Sequence, residues 1–154
     1  MQIISDKTHL GTWVSDYDRT LWELRRNFGA KHFKTLDYAS HDFPLILHND
    51  EQIVHYYYRD ITCQAAYRML AQDEESIIIE VQPSELNQQK LFHIHFINSS
   101  LYWVAVHMDW GLVYREFFTR MKDNPDHETR IIYANTPYRP ASDDPTESPS
   151  PGDS

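Results

Sequence analysis

Three histidines are the residues in this chain best placed to do chemistry. His93, His95 and His107 lie in KLFHIHFINSSLYWVAVHMDWG, residues 90–111, whose apolar runs predict two consecutive strands. Side chains alternate along a strand, so His93 and His95 share one face. A three-residue turn at 98–100 would place His107 on that face too, whereas a turn of two or four residues would place it on the core face. Three clustered imidazoles could bind zinc, but the sequence favours ordinary half-exposed histidines, because nothing else indicates the pocket of a zinc enzyme.

Cys63 is the second candidate, and it is the single cysteine of the chain. It lies in the first turn of a helix predicted over residues 60–72, where backbone N–H groups lower the pKa of a thiol. His107 and Asp109 could supply a base and the carboxylate that orients it. The same segment is also typical of a core helix with a small apolar cysteine, which is the interpretation we favour. One cysteine cannot form an internal disulfide, so we expect a reducing compartment, the cytoplasm.

Aromatic side chains form the third candidate set. Tyr56, Tyr57 and Tyr58 are consecutive in the sequence, so on a strand Tyr56 and Tyr58 share a face and Tyr57 takes the other. Trp22 lies off the apolar stripe of its predicted helix, beside two arginines. Tyrosine and tryptophan are enriched at protein interfaces, so these four residues are the predicted partner-binding residues. The alternative is an edge strand that carries amphipathic tyrosines.

Composition limits the functions that these residues can serve. The chain has 154 residues, enough for one domain, and 41% of them are hydrophobic. Only four glycines occur, which excludes a glycine-rich phosphate loop and the dinucleotide-binding fingerprint. The net charge of −9 disfavours nucleic-acid binding. The apolar runs are too short for a membrane segment or a signal peptide, and no motif calls for a cofactor.

The elements that would position these side chains alternate between helices and strands. The order predicts a single α+β domain over residues 1–134, an antiparallel sheet of five to six strands with helices packed on it. Residues 135–154, rich in Pro, Ser and Asp, predict a disordered acidic tail. The predicted helices cover residues 15–28, 60–72 and 110–122, and the predicted strands cover 43–48, 52–58, 76–82, 91–97, 101–108 and 129–134.

This element order resembles that of the roadblock (dynein-light-chain-like) family. The local similarity lies in SIIIEV, residues 76–81, and in LYWVAVHMDWGLVYREFF, residues 101–118, where an apolar strand runs through a short polar turn into a Gly-Leu-Val helix start. The chain also resembles, in size, acidity and element order, the small acidic chaperones of type III secretion systems. Both resemblances imply a protein that binds other proteins.

The sequence therefore predicts a small acidic cytoplasmic protein-binding module: a regulator, adaptor or chaperone. We expect it to be a homodimer without a cofactor, and to bind neither nucleic acid nor membrane. The alternative is an enzyme that uses a His93, His95 and His107 metal site, or Cys63 as a nucleophile with His107 and Asp109.

Overall fold

Eight strands form a closed antiparallel barrel in the computed structural model, which describes residues 4–24, 26, 43–86, 88, 90–107 and 113–137. Two short helices accompany the barrel within these residues: α1 at residues 17–24 and α2 at His127–Ala134. The strands are β1 (Gly11–Ser15), β2 (Ile46–Asn49), β3 (Ile53–Tyr58), β4 (Ile61–Gln72), β5 (Ser76–Val81), β6 (Leu91–Asn98), β7 (Leu101–His107) and β8 (Val113–Arg120).

The strands follow one another around the barrel in chain order. Each strand pairs antiparallel with the next, and the first pairs with the last. In this closing pair, Trp13 lies opposite Arg120 and Ser15 lies opposite Phe118. The result is an up-and-down barrel, which places one face of every strand inside and the other outside.

The α+β fold predicted from the sequence is therefore wrong, and so is the element order on which the resemblance to the roadblock family depended. The segment expected to be a helix at 60–72 forms β4. Of the helix expected at 110–122, residues 113–120 form β8. The strand expected at 129–134 is instead part of α2, and β1 was not predicted.

Pairing with neighbours explains why β4 is a strand although its sequence favours a helix. Its Ala, Gln, Met, Arg and Leu residues have high helix propensity. However, β4 pairs with β3 along one side and with β5 along the other. Its alternate residues Cys63, Ala65 and Tyr67 pack in the core while Thr62, Gln64 and Arg68 are exposed. Tertiary pairing therefore overrides the local preference of the backbone.

The first helix was predicted from the sequence and is present in the structure. A helix was expected over residues 15–28, and residues 17–24 are helical. Of its predicted apolar stripe, Tyr17, Leu21 and Leu24 are buried, and Phe28 lies outside the described residues. The Thr20 hydroxyl of α1 accepts a hydrogen bond of 3.0 Å from the backbone N–H of Phe117 in β8, so the helix covers the outside of the barrel there. Within the described residues, no helix is long and apolar enough to cross a lipid bilayer.

One end of the barrel is covered by residues 4–10, the segment before β1. The indole N–H of Trp13 donates to the His9 carbonyl at 3.0 Å. The Arg120 guanidinium lies 4.3 Å from the centre of the Trp13 ring, and its Nη1 donates to the Leu10 carbonyl at 2.6 Å. Trp13 is completely buried, so these contacts close this end of the interior.

The second helix packs on the outside of β2 and β3. Asp126 caps it by accepting a hydrogen bond from the Thr129 backbone N–H. Ala134 in this helix is buried in a small cluster with Ile46 and Tyr57. Of the predicted disordered tail at 135–154, residues 138–154 lie outside the described residues.

Candidate functional site

The barrel interior contains a cavity of about 300 Å³, which we call the barrel cavity. Most of its wall is aliphatic or aromatic. Four of its described residues contribute polar side-chain atoms: Asn49, Tyr56, Tyr102 and Glu116. The remaining lining residues are Leu45, Leu47, Val54, Ile79, Val81, Leu86, Phe92, Ile94, Val104, Ala105, Val106 and Phe118.

Glu116 is the one acidic side chain among the described residues of this wall. It lies on β8 between Tyr114 and Phe118, on the strand face that points inward. No hydrogen bond or ion pair joins its carboxyl to another described residue. Burial in these apolar surroundings raises the pKa of Glu116 from 4.5 to about 7. The side chain retains some accessible surface, which fits its position on the cavity wall.

The other polar side chains of the wall differ in the interactions that they make. Asn49 donates to the His9 carbonyl at 2.9 Å, so its amide takes part in holding the N-terminal segment. Burial, followed by the nearby Glu116 carboxylate, raises the pKa of Tyr102. The Tyr102 phenol therefore stays protonated at neutral pH and can donate a hydrogen bond.

The barrel cavity extends from Asn49, which contacts the N-terminal segment, toward the opposite end of the barrel. Leu45, which precedes β2, and Leu86, in the connection between β5 and β6, both line it. Glu116 is four residues before Arg120 on β8, a separation of roughly 13 Å along a strand. The carboxyl and the guanidinium therefore belong to different parts of the interior.

The three histidines singled out from the sequence lie on the outside of the barrel. His93 and His95 are close together, with ring centres 3.8 Å apart. The Trp103 ring stacks on His95 at 4.0 Å. His107 is exposed at the far end of β7, four residues from Trp103, or roughly 13 Å along the strand. Burial and the neighbouring His93 lower the pKa of His95.

The pairing of these two strands settles the open question of their register. His95 lies opposite Trp103, as a three-residue turn would require, and a bulge between Phe96 and Asn98 pairs Asn98 with Leu101. No group of three or more His, Cys, Asp or Glu side chains able to hold a metal occurs in the described part of the chain. His93 instead lies 2.8 Å from the hydroxyl of Ser76 on the neighbouring strand.

Cys63 and His107 are not brought together. Cys63 lies on β4, opposite Tyr56, and packs against the core inside the barrel. His107 is exposed at the end of β7. The helix whose first turn was expected to lower the pKa of the Cys63 thiol is absent, because that segment is a strand. Asp109 lies outside the described residues.

The predicted partner-binding tyrosines occupy three different environments. Tyr56 lines the barrel cavity and is buried. Tyr57 is 1% exposed on the outer face of β3, where α2 covers it. Tyr58 is partly exposed, with the Arg59 guanidinium 5.6 Å from its ring centre. Trp22, on α1, is partly exposed, and the Arg26 guanidinium lies 5.1 Å from its ring centre.

Glu116 is the functional candidate that the sequence reasoning missed. The segment VYREFFTR was interpreted as a helix, in which Glu116 would be one of several charged surface residues. When this segment is a strand, Tyr114, Glu116 and Phe118 lie on one face. A carboxylate between two aromatic residues at a spacing of two is the signal that could have identified it.

The closed barrel does not have the element order expected from either family resemblance. The barrel cavity and its carboxyl are features of this chain's own geometry. No protein-family model, no curated protein and no solved structure matches this sequence.

Proposed function

We propose that this protein binds one small, mainly apolar molecule inside its barrel. The observation that carries the proposal is the barrel cavity, an apolar space of about 300 Å³ with an unpaired carboxyl in its described wall. Ligand sites are typically concave and apolar, with a few polar groups that orient the ligand. An unpaired buried carboxyl with a strongly shifted pKa also favours a functional site over a structural one.

The size of the cavity favours a compact ligand. Barrels of eight strands have an interior just wide enough to be filled by side chains or to hold one small ligand. A volume near 300 Å³ is at the lower end of the usual range for ligand pockets, roughly 300–1,000 Å³. A molecule with one to three rings, or a short chain, fits this volume better than a long lipid does.

The wall supports binding rather than nucleophilic catalysis. Its described lining includes no Ser, Thr, Cys or His side chain. A nucleophile and a base within hydrogen-bond reach of each other are needed for covalent catalysis. The protein-binding function predicted from the sequence stays a prediction. Of the four residues predicted to bind a partner, Tyr56 and Tyr57 are buried, and Tyr58 and Trp22 are partly exposed.

Fluorescence titration with the neutral apolar probe N-phenyl-1-naphthylamine tests the proposed function. We expect saturable enhancement at one site per chain. Val104→Trp places an indole in the cavity and should reduce probe affinity by roughly tenfold or more, because the space would then be filled.

Val113→Trp is the matched control, since Val113 is 47% exposed and does not line the cavity. This variant should bind the probe as the wild type does. Equal affinity in all three proteins, each with an unchanged circular dichroism spectrum, would show that the probe does not enter the barrel and would overturn the proposal.

A further inference from the structure

We propose that the ligand of the barrel cavity is an organic cation, an amine with an apolar body whose ammonium group pairs with Glu116. The inference rests on the proposed function and names the chemical class of the ligand. It starts from the charges of the wall: the described lining contains one carboxyl and no Lys, Arg or His side chain. A ligand that carried a carboxylate or a phosphate would meet no positive charge there.

The lack of a partner for Glu116 is the second step. A buried carboxyl normally accepts hydrogen bonds or pairs with a cation, because leaving it unpaired is costly. Within the described residues the Glu116 carboxyl does neither. An ammonium group in the cavity would supply both a charge and up to three N–H donors. The ligand would therefore satisfy a group that the protein itself leaves unsatisfied.

Aromatic rings are the third step. Tyr56, Phe92, Tyr102 and Phe118 all line the same space as Glu116. The faces of aromatic rings attract cations, most strongly where water is excluded. The same rings and the aliphatic wall would hold the apolar body of the ligand by ordinary burial. Carboxyl and rings together favour an amine over a neutral molecule of the same shape.

Proton balance gives the site a defined pH dependence. Glu116 interacts electrostatically with Tyr102 on β7 and with Tyr17 on α1. Arg120, also on β8, interacts with Tyr102, and Tyr56 on β3 lines the same cavity. The pKa values of Tyr17 and Tyr102 are both raised, so neither phenol ionises near pH 7. Arg120 is occupied at the other end by backbone carbonyls. Glu116 is then the group whose ionisation controls amine binding.

Three ligands of matched shape test the inference by calorimetry: 2-phenylethylamine, 2-phenylethanol and 3-phenylpropionate. At pH 8 we expect the amine to bind at least tenfold more tightly than the alcohol, and the carboxylate to bind most weakly. Glu116→Gln keeps the shape of the side chain and removes its charge. It should weaken the amine roughly tenfold or more and change the alcohol less than threefold.

Proton release on binding distinguishes a Glu116 that pairs with the amine from a Glu116 with a purely structural role, which would release no proton. At pH 6, binding of the amine should release a proton from Glu116, measured as a dependence of the binding heat on the ionisation enthalpy of the buffer. Glu80→Gln is the matched control, because Glu80 lies on the outer face of β5 and pairs with Arg68. This variant should release the same proton as the wild type.

The outcomes separate the two proposals. If the alcohol binds as tightly as the amine, or if Glu116→Gln leaves the amine unaffected, the cavity binds ligands but the amine inference is wrong. If none of the three ligands binds and N-phenyl-1-naphthylamine is not bound either, the proposed function itself fails.

Discussion

Glu116 is a residue for which the stability of the protein and its function have opposite requirements. Its carboxyl lies in an apolar wall and has no partner among the described residues, so its charged form destabilises the folded state. A hydrophobic residue in its place would be expected to stabilise the empty barrel. A glutamate at this position is explained if its carboxyl interacts with a bound molecule.

The pH dependence of stability follows from this residue. The pKa of Glu116 is about 7 in the folded protein, above its ordinary value of 4.5. The folded state therefore holds the proton more tightly than the unfolded state does. The stabilisation from the protonated carboxyl is complete below pH 4.5, decreases as the pH rises, and is gone above pH 7.

We expect Glu116→Gln to lose this contribution, since glutamine does not ionise. The free energy of unfolding of the wild type relative to the variant should fall between pH 4.5 and pH 7, by up to about 3 kcal/mol. Urea unfolding of both proteins at a series of pH values measures this difference, and contributions from other groups cancel. A constant difference across the range would show that Glu116 ionises as freely as a surface glutamate.

The second helix is held to the barrel through one buried tyrosine. The Tyr57 hydroxyl lies 2.8 Å from Nδ1 of His127 and accepts a hydrogen bond of 2.9 Å from Arg130 Nη1. Both partners belong to α2, which is only eight residues long. A helix of that length is not stable alone, so these contacts and the apolar contacts of Ala134 and Ile131 keep it folded.

Removal of the hydroxyl should loosen this helix. Tyr57→Phe should lower the free energy of unfolding by about 1–2 kcal/mol, because the partly buried hydrogen bonds that join the Tyr57 hydroxyl to His127 and Arg130 are both lost. Tyr133→Phe is the matched control on the same helix, as Tyr133 is 44% exposed, and it should change stability by less than about 0.5 kcal/mol. Chemical denaturation compares the two; equal effects would contradict the role assigned to the Tyr57 hydroxyl.

Elements were predicted well from the sequence where hydrophobic alternation and β-branched residues agreed. SIIIEV forms β5 and LFHIHFIN forms β6, close to the bounds expected for them. Prediction failed in ITCQAAYRMLAQ, where helix-forming residues predominate. It also failed in VYREFFTR, where Val113 and Phe117 recur at helical spacing although most of the residues favour a strand. In both segments the pairing of neighbouring strands decides the conformation. The candidate site was missed for the same reason, since Glu116 faces the interior only when its segment is a strand.

Closure of the sheet could not be predicted from local patterns either. It depends on β1 meeting β8, which places Val14 beside Thr119, more than a hundred residues away in the chain. GTWVS is short, and its alternation is too brief to identify a strand from periodicity. The division into one domain over residues 1–134 and a disordered tail over residues 135–154 stays a prediction.

At the scale of the whole molecule, closure should make unfolding cooperative. Every strand contacts two others, and the first and last strands contribute to the same core through Trp13 and Phe118. We expect the urea transition followed by tryptophan fluorescence to coincide with that followed by far-ultraviolet circular dichroism. Transitions that differ in midpoint would show that part of the barrel unfolds independently.

The closing pair between β1 and β8 also has a consequence for the behaviour of the protein in concentrated solution. A strand at the border of an open sheet exposes unpaired N–H and C=O groups, which can recruit strands from other chains into aggregates or amyloid. In this barrel β1 and β8 pair with each other, with Val14 opposite Thr119, so neither strand is at the border of an open sheet. Proteolytic loss of the first fifteen residues would uncover two such borders at once, on β2 and β8, so the N-terminal strand protects its own molecule against self-templated assembly.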